Sequence, residues 1–298
     1  MKPVQPCQGR KMARKLQKMT ALMAVLLLSL FLGACSKSSD STGESTTTYN
    51  RVHSSKTITW GMRADTRLFS MMDIKTGKAK GFEVDLARAI TKQILGPSGK
   101  MKIEYISEKS RIMDLKIGNV DAVMATMTDT ADREKIINFS DTYFMAGETL
   151  IVPKKSKLKS IKAFNNSKYS IAAVKGSTAD ADVHKYAPKA KVIFYDDYGS
   201  AYNAFKAGKT NAMVSDNAVL AGLIADDTDK FTMLDTTFTV EPYGIGIKKG
   251  ETKFTKEVNQ ALATLRKNGT YQRLMKKWFA GVPGFNIKES SKTTVSDK

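Results

Sequence analysis

The chain has 298 residues, 42% of them hydrophobic, which is enough to bury a substantial core, and we expect two lobes rather than one. Two cysteines and two histidines leave little material for a metal site or for thiol catalysis, and we expect no cofactor. The formal net charge of +19 would suit a nucleic-acid binder, but the lysines are scattered rather than clustered with aromatics, so we expect no nucleic-acid partner.

The first 34 residues have the composition of a secretory signal peptide. Six basic residues come before ALMAVLLLSLFLGA (21–34), an uncharged run that is too short for a transmembrane helix. Because MARKLQKM is already a complete basic segment, Met12 is an alternative start to Met1. Either start predicts that residues 1–34 are removed and that the mature protein is exported.

The apolar run ends in LGAC at Cys35, which resembles the lipobox of bacterial lipoproteins. The resemblance implies cleavage before Cys35, lipidation of this cysteine, and anchoring of the protein to the outer, extracytoplasmic face of the bacterial cell membrane. Plain secretion with an unmodified cysteine is the alternative. Residues 36–48 contain nine Ser or Thr in thirteen, which predicts a flexible tether over 35–55.

Folded structure is predicted to begin near residue 56. KTITWGM (56–62) alternates as a strand, and GFEVDLARAITKQIL (81–95) has apolar residues near helical spacing. GPSG (96–99) ends that helix, and MKIEYI (101–106) alternates as a second strand. Strands separated by helices in this way indicate an α/β fold.

One pattern occurs twice along the chain. LKIGNVDAVMA (115–125) and FKAGKTNAMVS (205–215) both give a helix end, a glycine cap and an apolar strand. Chance similarity is the alternative, but polar residues that start a helix follow each copy, TMTDTADR after the first and SDNAVL after the second. The repeat predicts two similar lobes with polar clusters at the carboxyl ends of their strands, facing each other across a cleft. IAAVKGSTADADV (171–183) gives a third turn of this kind.

These turns hold the groups that a free amino acid requires. Helix N-termini and an arginine suit its carboxylate. The segment TMTDTADR supplies the hydroxyls of Thr128 and Thr130, and Arg133 lies about one helical turn after them. GST (176–178) offers backbone amides and hydroxyls from the other lobe, and Asp216 could be the counter-ion of an ammonium group.

Ordinary structural roles remain open for each of these residues. Arg133 could pair with Asp129 four residues earlier on an exposed helix. Asp216 could be only a helix N-cap, and Ser177 and Thr178 could only cap as well.

Six ordered blocks of the chain resemble a known family. They are GKAKGFEVDLARAI, GNVDAVMATMTDTADREKIINFSDTYF, AAVKGSTAD, VSDNAVLAG, EPYGIGIKKG and NGTYQRLMKKWF, between about Thr57 and Phe279. They are similar to the polar-amino-acid solute-binding proteins of bacterial ABC importers. The resemblance implies a two-lobe periplasmic-binding-protein type II (Venus-flytrap) fold with two hinge strands.

The family's fold predicts the domain boundaries. The first part of lobe 1 covers 56–145, lobe 2 covers 146–240, and the chain returns to lobe 1 over 241–283. A flexible C-terminal tail is predicted over 284–298.

The resemblance also implies roles for individual residues. Arg133 would grip the ligand α-carboxylate, assisted by Thr128 and the backbone near Thr126, with Ser177 and Thr178 capping it from lobe 2. Asp216 would hold the α-ammonium. Four further residues have looser matches. Arg111 and Arg63 resemble basic residues that reach an acidic ligand side chain, and Tyr243 resembles a tyrosine that contacts the ligand. Phe69 resembles an aromatic residue that packs over the ligand, with ordinary core packing as the alternative.

Three arginines in one cleft would repel one another unless an anionic ligand offset their charge. The expected ligand is therefore an acidic amino acid (glutamate or aspartate), with glutamine as the second choice and solvated positions as the alternative for Arg63 and Arg111. The family's partners would be permease transmembrane subunits with a cytoplasmic ATPase, and we expect a monomer.

Two other functions share this fold. A dehydratase would need an acid–base residue in the cleft, and His184 lies inside a helix away from the turns, so we expect no enzyme activity. A surface adhesin is compatible with the basic charge, but no segment of the sequence marks an adhesive surface.

Overall fold

The computed structural model describes residues 46–282 and 285–293. The predicted signal peptide, Cys35 and the first part of the predicted tether lie outside the described residues. Within these two ranges, no helix is long and apolar enough to cross a membrane.

Lobe 1 is built on a five-stranded sheet with flanking helices and a small accessory sheet. The main strands are β1 (Thr57–Met62), β5 (Lys100–Tyr105), β6 (Ala122–Val123), β7 (Ile137–Phe139) and β15 (Gly246–Lys248), in the order β5-β1-β6-β15-β7. The accessory sheet contains β2 (Asp65–Thr66), β3 (Ser70–Asp73) and β4 (Lys78–Lys80). The helices are α1 (Thr48–Ser55), α2 (Phe82–Leu95), α3 (Arg111–Ile117), α4 (Ala131–Glu134), α8 (Thr252–Lys267), α9 (Thr270–Phe279) and α10 (Ile287–Ser290).

Lobe 2 repeats this plan. Its strands are β9 (Glu148–Pro153), β10 (Ser170–Val174), β11 (Lys191–Tyr195), β12 (Ala212–Asp216) and β13 (Phe231–Met233), in the order β11-β10-β12-β9-β13. Its helices are α5 (Ala179–Tyr186), α6 (Tyr198–Lys206) and α7 (Asn217–Ile224), with a 3₁₀ turn at Ile161–Phe164. The two lobes, each with its own mixed sheet and helices, confirm the predicted α/β fold.

The duplicated pattern has the same structural meaning in both lobes. β6 and β12 occupy the third position of their sheets, each between one parallel strand and one antiparallel strand. The helix before each strand ends at a glycine with positive φ, 81° at Gly118 and 71° at Gly208. The polar residues that follow each strand therefore lie at equivalent edges of the two sheets.

Two short strands connect the lobes. β8 (Phe144–Ala146) carries the chain toward lobe 2, β14 (Glu241–Tyr243) brings it back, and the two pair antiparallel. Phe144 and Tyr243 are completely buried and stack at 5.5 Å, so the crossing is anchored in the aromatic core of lobe 1.

The folded part begins earlier than the sequence predicted. Residues 48–55 were assigned to the tether, but they form α1, which Thr47 caps by accepting a hydrogen bond from Asn50 N. Val52 is completely buried in the core of lobe 1, and Arg51 forms an ion pair with Asp121. Tyr49 also packs against this core, and His53 contacts Glu257, so several side chains hold this polar segment on the lobe.

The C-terminal segment also extends the fold. The sequence predicted a flexible tail from residue 284, but the Phe285 ring stacks on Phe279 at 4.7 Å and on Phe144 at 5.8 Å. α10 follows it and buries Ser290. Phe285 and Ile287 both pack against the core of lobe 1, which outweighs the polar composition around them.

Candidate functional site

The turns that the sequence singled out meet between the two lobes. They enclose a cavity of about 10 Å³, which is room for about one water molecule on the usual requirement of roughly 10–15 Å³. Lobe 1 contributes Glu108, Arg111, Thr126, Thr128 and Arg133, and lobe 2 contributes Glu148, Ser177, Thr178, Tyr198, Ser215 and Asp216. A larger open groove of about 980 Å³ lies between β7 and α8 on the outside of lobe 1, away from these converging charges.

Two guanidinium groups form the cationic end of the cavity. Arg133 donates from Nη1 to the carbonyl of Thr128 (2.8 Å) and from Nη2 to the carbonyl of Gly176 (3.1 Å). Arg111 donates to the carbonyl of Ala125 (2.8 Å) and also reaches Gly176 O (3.4 Å). Burial and the charge of Arg111 lower the pKa of Arg133 to about 10. The two cations thus converge on one carbonyl oxygen, where a carboxylate would be a stronger acceptor.

A buried carboxyl group shapes the backbone beneath these arginines. Thr126 has φ of 44°, and its N–H donates to Glu83 Oε1 at 2.7 Å. Tyr143 donates to the same oxygen at 2.5 Å, and burial raises the pKa of Glu83 to about 7. The Thr126 amide is therefore already used within the protein, whereas the buried Thr126 hydroxyl, which lines the cavity, has no hydrogen-bond partner among the described residues.

Three carboxyl groups form the acidic end. Asp216 follows β12 at the start of α7, yet its side chain makes no capping bond. Its Oδ2 accepts from the Tyr243 hydroxyl at 2.5 Å, and its Oδ1 is buried without a partner in the described part of the chain. Glu148 accepts from Thr178 Oγ1 at 2.8 Å, and Glu241 from the same hydroxyl at 3.4 Å.

The acidic end lacks a cation. Burial, followed by the charge of Glu241, raises the pKa of Asp216 to about 8. Burial and the charge of Asp216 raise the pKa of Glu148 well above its usual range. The side-chain hydrogen bonds that the described residues make to these carboxyl groups come from the hydroxyls of Thr178 and Tyr243, so an ammonium group placed here would relieve their repulsion.

Three of the ten ligand-binding candidates from the sequence do not line the cavity. Arg63 lies behind its wall and forms a bidentate pair with Asp65 at 2.9 and 2.7 Å. Tyr243 is completely buried and contacts two cavity residues, Asp216 through its hydroxyl and Thr128 through a backbone bridge. Phe69 packs at 5.9 Å from Tyr243 in the aromatic core, which is the ordinary packing that the sequence left open for it.

The capping alternatives apply only in part. Thr130, not a cavity residue, caps α4 by accepting from Arg133 N at 3.3 Å. Ser177 Oγ donates to Val174 O at 2.8 Å within its own turn. Thr178 makes no side-chain capping bond to α5 and binds Glu148 instead.

Sequence reasoning missed four cavity residues. Ser215 precedes Asp216 directly, and Glu108 stands three residues before Arg111, a spacing at which an acid and an arginine commonly interact. Glu148 and Tyr198 carried no comparable signal, because only the folded lobes bring them to the cavity.

The lobes touch around this cavity. Gly176 has φ of 87°, and a Cβ placed on it would lie 3.0 Å from the backbone of Glu108. Arg67 forms an ion pair with Asp226 across the interface at 2.5 Å. Because the cavity is far smaller than an amino acid, a ligand of that size enters only when the lobes separate about the β8–β14 connection.

Comparison with known proteins places this chain among binding proteins. A family model described as bacterial extracellular solute-binding proteins, family 3, matches residues 58–281. The ABC transporter glutamine-binding protein of Bacillus subtilis (strain 168) is 36% identical over 273 residues, which is 90% of this chain and 99% of that protein. The glutamine-binding protein of Geobacillus stearothermophilus is 37% identical over 254 residues, or 82% of this chain and 96% of that protein.

A solved structure agrees in fold. It is an ancestral amino-acid-binding protein described as a precursor of cyclohexadienyl dehydratase, with a TM-score of 0.72 and 33% sequence identity. The match covers 78% of this chain and 99% of that one. The predicted type II binding-protein architecture is thereby confirmed.

Proposed function

The chain belongs to family 3 of the bacterial extracellular solute-binding proteins, and we propose that it captures a free polar amino acid between its lobes and delivers it to an ABC importer. The observation that carries the proposal is a single interlobe cavity with two converging guanidinium groups and a buried oxygen, Asp216 Oδ1, that has no hydrogen-bond partner among the described residues. A zwitterion carries the two complementary charges at a fixed separation.

The carboxylate end follows from the arginines. When the lobes open, Gly176 O moves away from Arg111 and Arg133, and their Nη groups become free for a ligand carboxylate. Because both guanidiniums reach one acceptor, we propose that they share the α-carboxylate. Arg111 then does not serve a separate side-chain carboxylate, the role that the resemblance implied. Thr128 and the turn at Ser177 and Thr178 complete this end.

The ammonium end follows from Asp216. Its Oδ1 is buried and without a partner among the described residues, and burial together with the charge of Glu241 raises its pKa to about 8, so a cation placed here would stabilise its charged form. Tyr243 fixes the orientation of the carboxylate by donating to Oδ2. Glu148, from the adjacent strand, adds a second acceptor.

We propose glutamine as the ligand. The preference for an acidic ligand rested on three uncompensated arginines, but Asp65 pairs with Arg63 and Glu108 lies 3.6 Å from Arg111. Two relatives that are glutamine-binding proteins by name share more than a third of their residues with this chain. A neutral side chain therefore fits the compensated charges better than glutamate does.

Isothermal titration tests this function. The compact unit of the chain begins at Thr47, so protein lacking residues 1–35 keeps the whole site. We expect tight binding of glutamine, weaker binding of glutamate, aspartate and asparagine, and ligand recovered unchanged by NMR after prolonged incubation. Failure of every amino acid to bind would reject the function, and conversion of the ligand would indicate an enzyme that uses Asp216 as an acid.

Anchoring and partners belong to the same proposal. We propose that the mature protein is a monomer that a lipid on Cys35 anchors to the outer, extracytoplasmic face of the cell membrane. There it lies close to permease subunits whose cytoplasmic ATPase drives import. Labelled palmitate should be incorporated into the wild-type protein and not into Cys35→Ser, which should be released into the medium. Equal labelling of the two proteins would contradict the anchor.

A further inference from the structure

One cavity carboxylate has no role in holding the ends of an amino acid. Glu108 lies in the turn before α3, with its residue only 5% exposed. Its Oε1 accepts from the Tyr198 hydroxyl of lobe 2 at 3.1 Å, and its Oε2 is buried without a hydrogen-bond partner in the described part of the chain. A buried carboxylate oxygen of this kind costs free energy unless a donor reaches it.

The charges around Glu108 balance locally. Arg63 Nη1 lies 3.7 Å from Oε2 and Arg111 Nη1 lies 3.6 Å from Oε1, so both attract the carboxylate without making short hydrogen bonds. Asp65 holds the other side of Arg63. Two guanidiniums thus face two carboxylates. The two arginines would repel a cationic ligand group, and Glu108 would repel an anionic one.

Tyr198 fixes this wall from the other lobe. Its ring lies 5.2 Å from the Arg63 guanidinium carbon, and its hydroxyl accepts from Ser215 Oγ at 3.5 Å while it donates to Glu108. The one oxygen of Glu108 that remains is therefore oriented as an acceptor for a neutral donor group.

We infer that Glu108 selects the ligand side chain by accepting a hydrogen bond from a neutral carboxamide N–H₂ and by repelling a carboxylate. The inference rests on the proposed function, because it needs the zwitterion to be held by Arg133 and Asp216. It explains how a site with two arginines on its wall discriminates glutamine from glutamate, which differ only in this group: one gains a bond and the other places two like charges together.

The test is the ratio of the dissociation constants of glutamate and glutamine, measured by titration calorimetry at pH 7. In the wild-type protein we expect glutamine to bind at least about a hundredfold more tightly than glutamate. Glu108→Gln keeps the shape and an acceptor oxygen but removes the charge. We expect its glutamine affinity to stay within about fivefold and the ratio to fall at least about tenfold.

Matched variants separate selection from general damage. Glu108→Asp keeps the charge and should keep the exclusion of glutamate. Glu104→Gln makes the same substitution on β5, where the side chain is 43% exposed beside Lys102, and should leave the ratio unchanged. Glu108→Ala supplies the same comparison if Glu108→Gln does not fold.

Three results would overturn the inference while leaving the proposed function intact. The first is wild-type protein that binds glutamate as tightly as glutamine. The second is an unchanged ratio in folded Glu108→Gln and Glu108→Ala. The third is an equal loss of affinity for all amino acids in the Glu108 variants, which would make Glu108 a second partner of the ligand ammonium group. Absence of binding to any amino acid by the wild-type protein would instead reject the function itself.

Discussion

Replacing Arg133 by methionine separates binding from folding. The guanidinium is half-buried beside Arg111; the loss of solvent and the charge of Arg111 lower its pKa to about 10, and it donates to backbone carbonyls at 2.8 and 3.1 Å. Arg133→Met loses these bonds but also removes a disfavoured cation. The two effects oppose each other, so we expect the ligand-free stability to change by no more than roughly 1 kcal/mol, or about 2–4 °C in Tm.

The effect on binding should be much larger. Two charge-assisted hydrogen bonds to a carboxylate contribute about 1.5–3 kcal/mol each, so their loss costs roughly 3–6 kcal/mol. At about 1.4 kcal/mol for each factor of ten, glutamine affinity should fall roughly a hundred- to ten-thousand-fold. Arg111 still contacts the carboxylate, so we expect the lower part of this range.

Titration calorimetry and thermal unfolding measure the two quantities on the same sample. Arg88→Met is the matched control, because Arg88 lies exposed on α2 and pairs with Asp85 at 2.7 Å, a surface contact worth about 0–1 kcal/mol. It should bind glutamine normally. If Arg133→Met kept its affinity within threefold, the arginine would not hold the carboxylate.

Two further predictions concern protonation and closure. The pKa of Asp216 is about 8 without ligand, and a ligand ammonium group would lower it. Glutamine binding at pH 7 should therefore release protons, measured by calorimetry in buffers of different ionisation enthalpy, and the affinity should rise with pH toward 8 by up to about tenfold per pH unit. A proton release near zero would contradict this. Because folding raises the pKa of Asp216 from 3.8 to about 8, the protonated group contributes its full stabilisation below pH 3.8 and this contribution is lost as the pH rises through about 8. The Tm of the ligand-free protein should therefore fall from pH 5 to pH 8. Gly176→Ala should weaken the binding of every amino acid by roughly tenfold without changing selectivity, because its Cβ would lie 3.0 Å from the backbone of Glu108 when the lobes meet. Gly208→Ala has the same left-handed φ cost of roughly 1–2 kcal/mol but open space around its Cβ, so it should bind normally. Equal effects of the two variants on binding would count against closure at Gly176.

The sequence predicted the residues whose position is set locally. Arg133, Asp216 and Thr178 each stand at a strand–turn–helix junction, and parallel strands place such junctions at one edge of a sheet. The hinge crossings were predicted as well, from the resemblance.

Residues whose role depends on distant partners were missed or misjudged. Glu108 faces Tyr198, which is ninety residues away, only because the lobes meet. Arg63 was assigned to the ligand although Asp65, two residues later, takes its guanidinium. Val52 and Phe285 lie in two polar segments that composition alone marked as flexible. Tyr49 and Ile287 pack against the core with them, and burial of an apolar side chain contributes up to about 1.5–3 kcal/mol that a composition average does not register.

The charges that we propose bind the amino acid also affect closure of the lobes. When the lobes meet, burial leaves Asp216 and Glu148 without a cation and places Arg133 against Arg111, and each of these arrangements disfavours the closed form. A zwitterion provides the missing cation at one end and the missing anion at the other, so its interaction free energy differs strongly between the closed and open forms. That difference is what shifts the population toward closure. A molecule with only one of the two charges would relieve one end and leave the other uncompensated. The site therefore selects for the zwitterion at the step that closes the lobes, before any side-chain contact is considered.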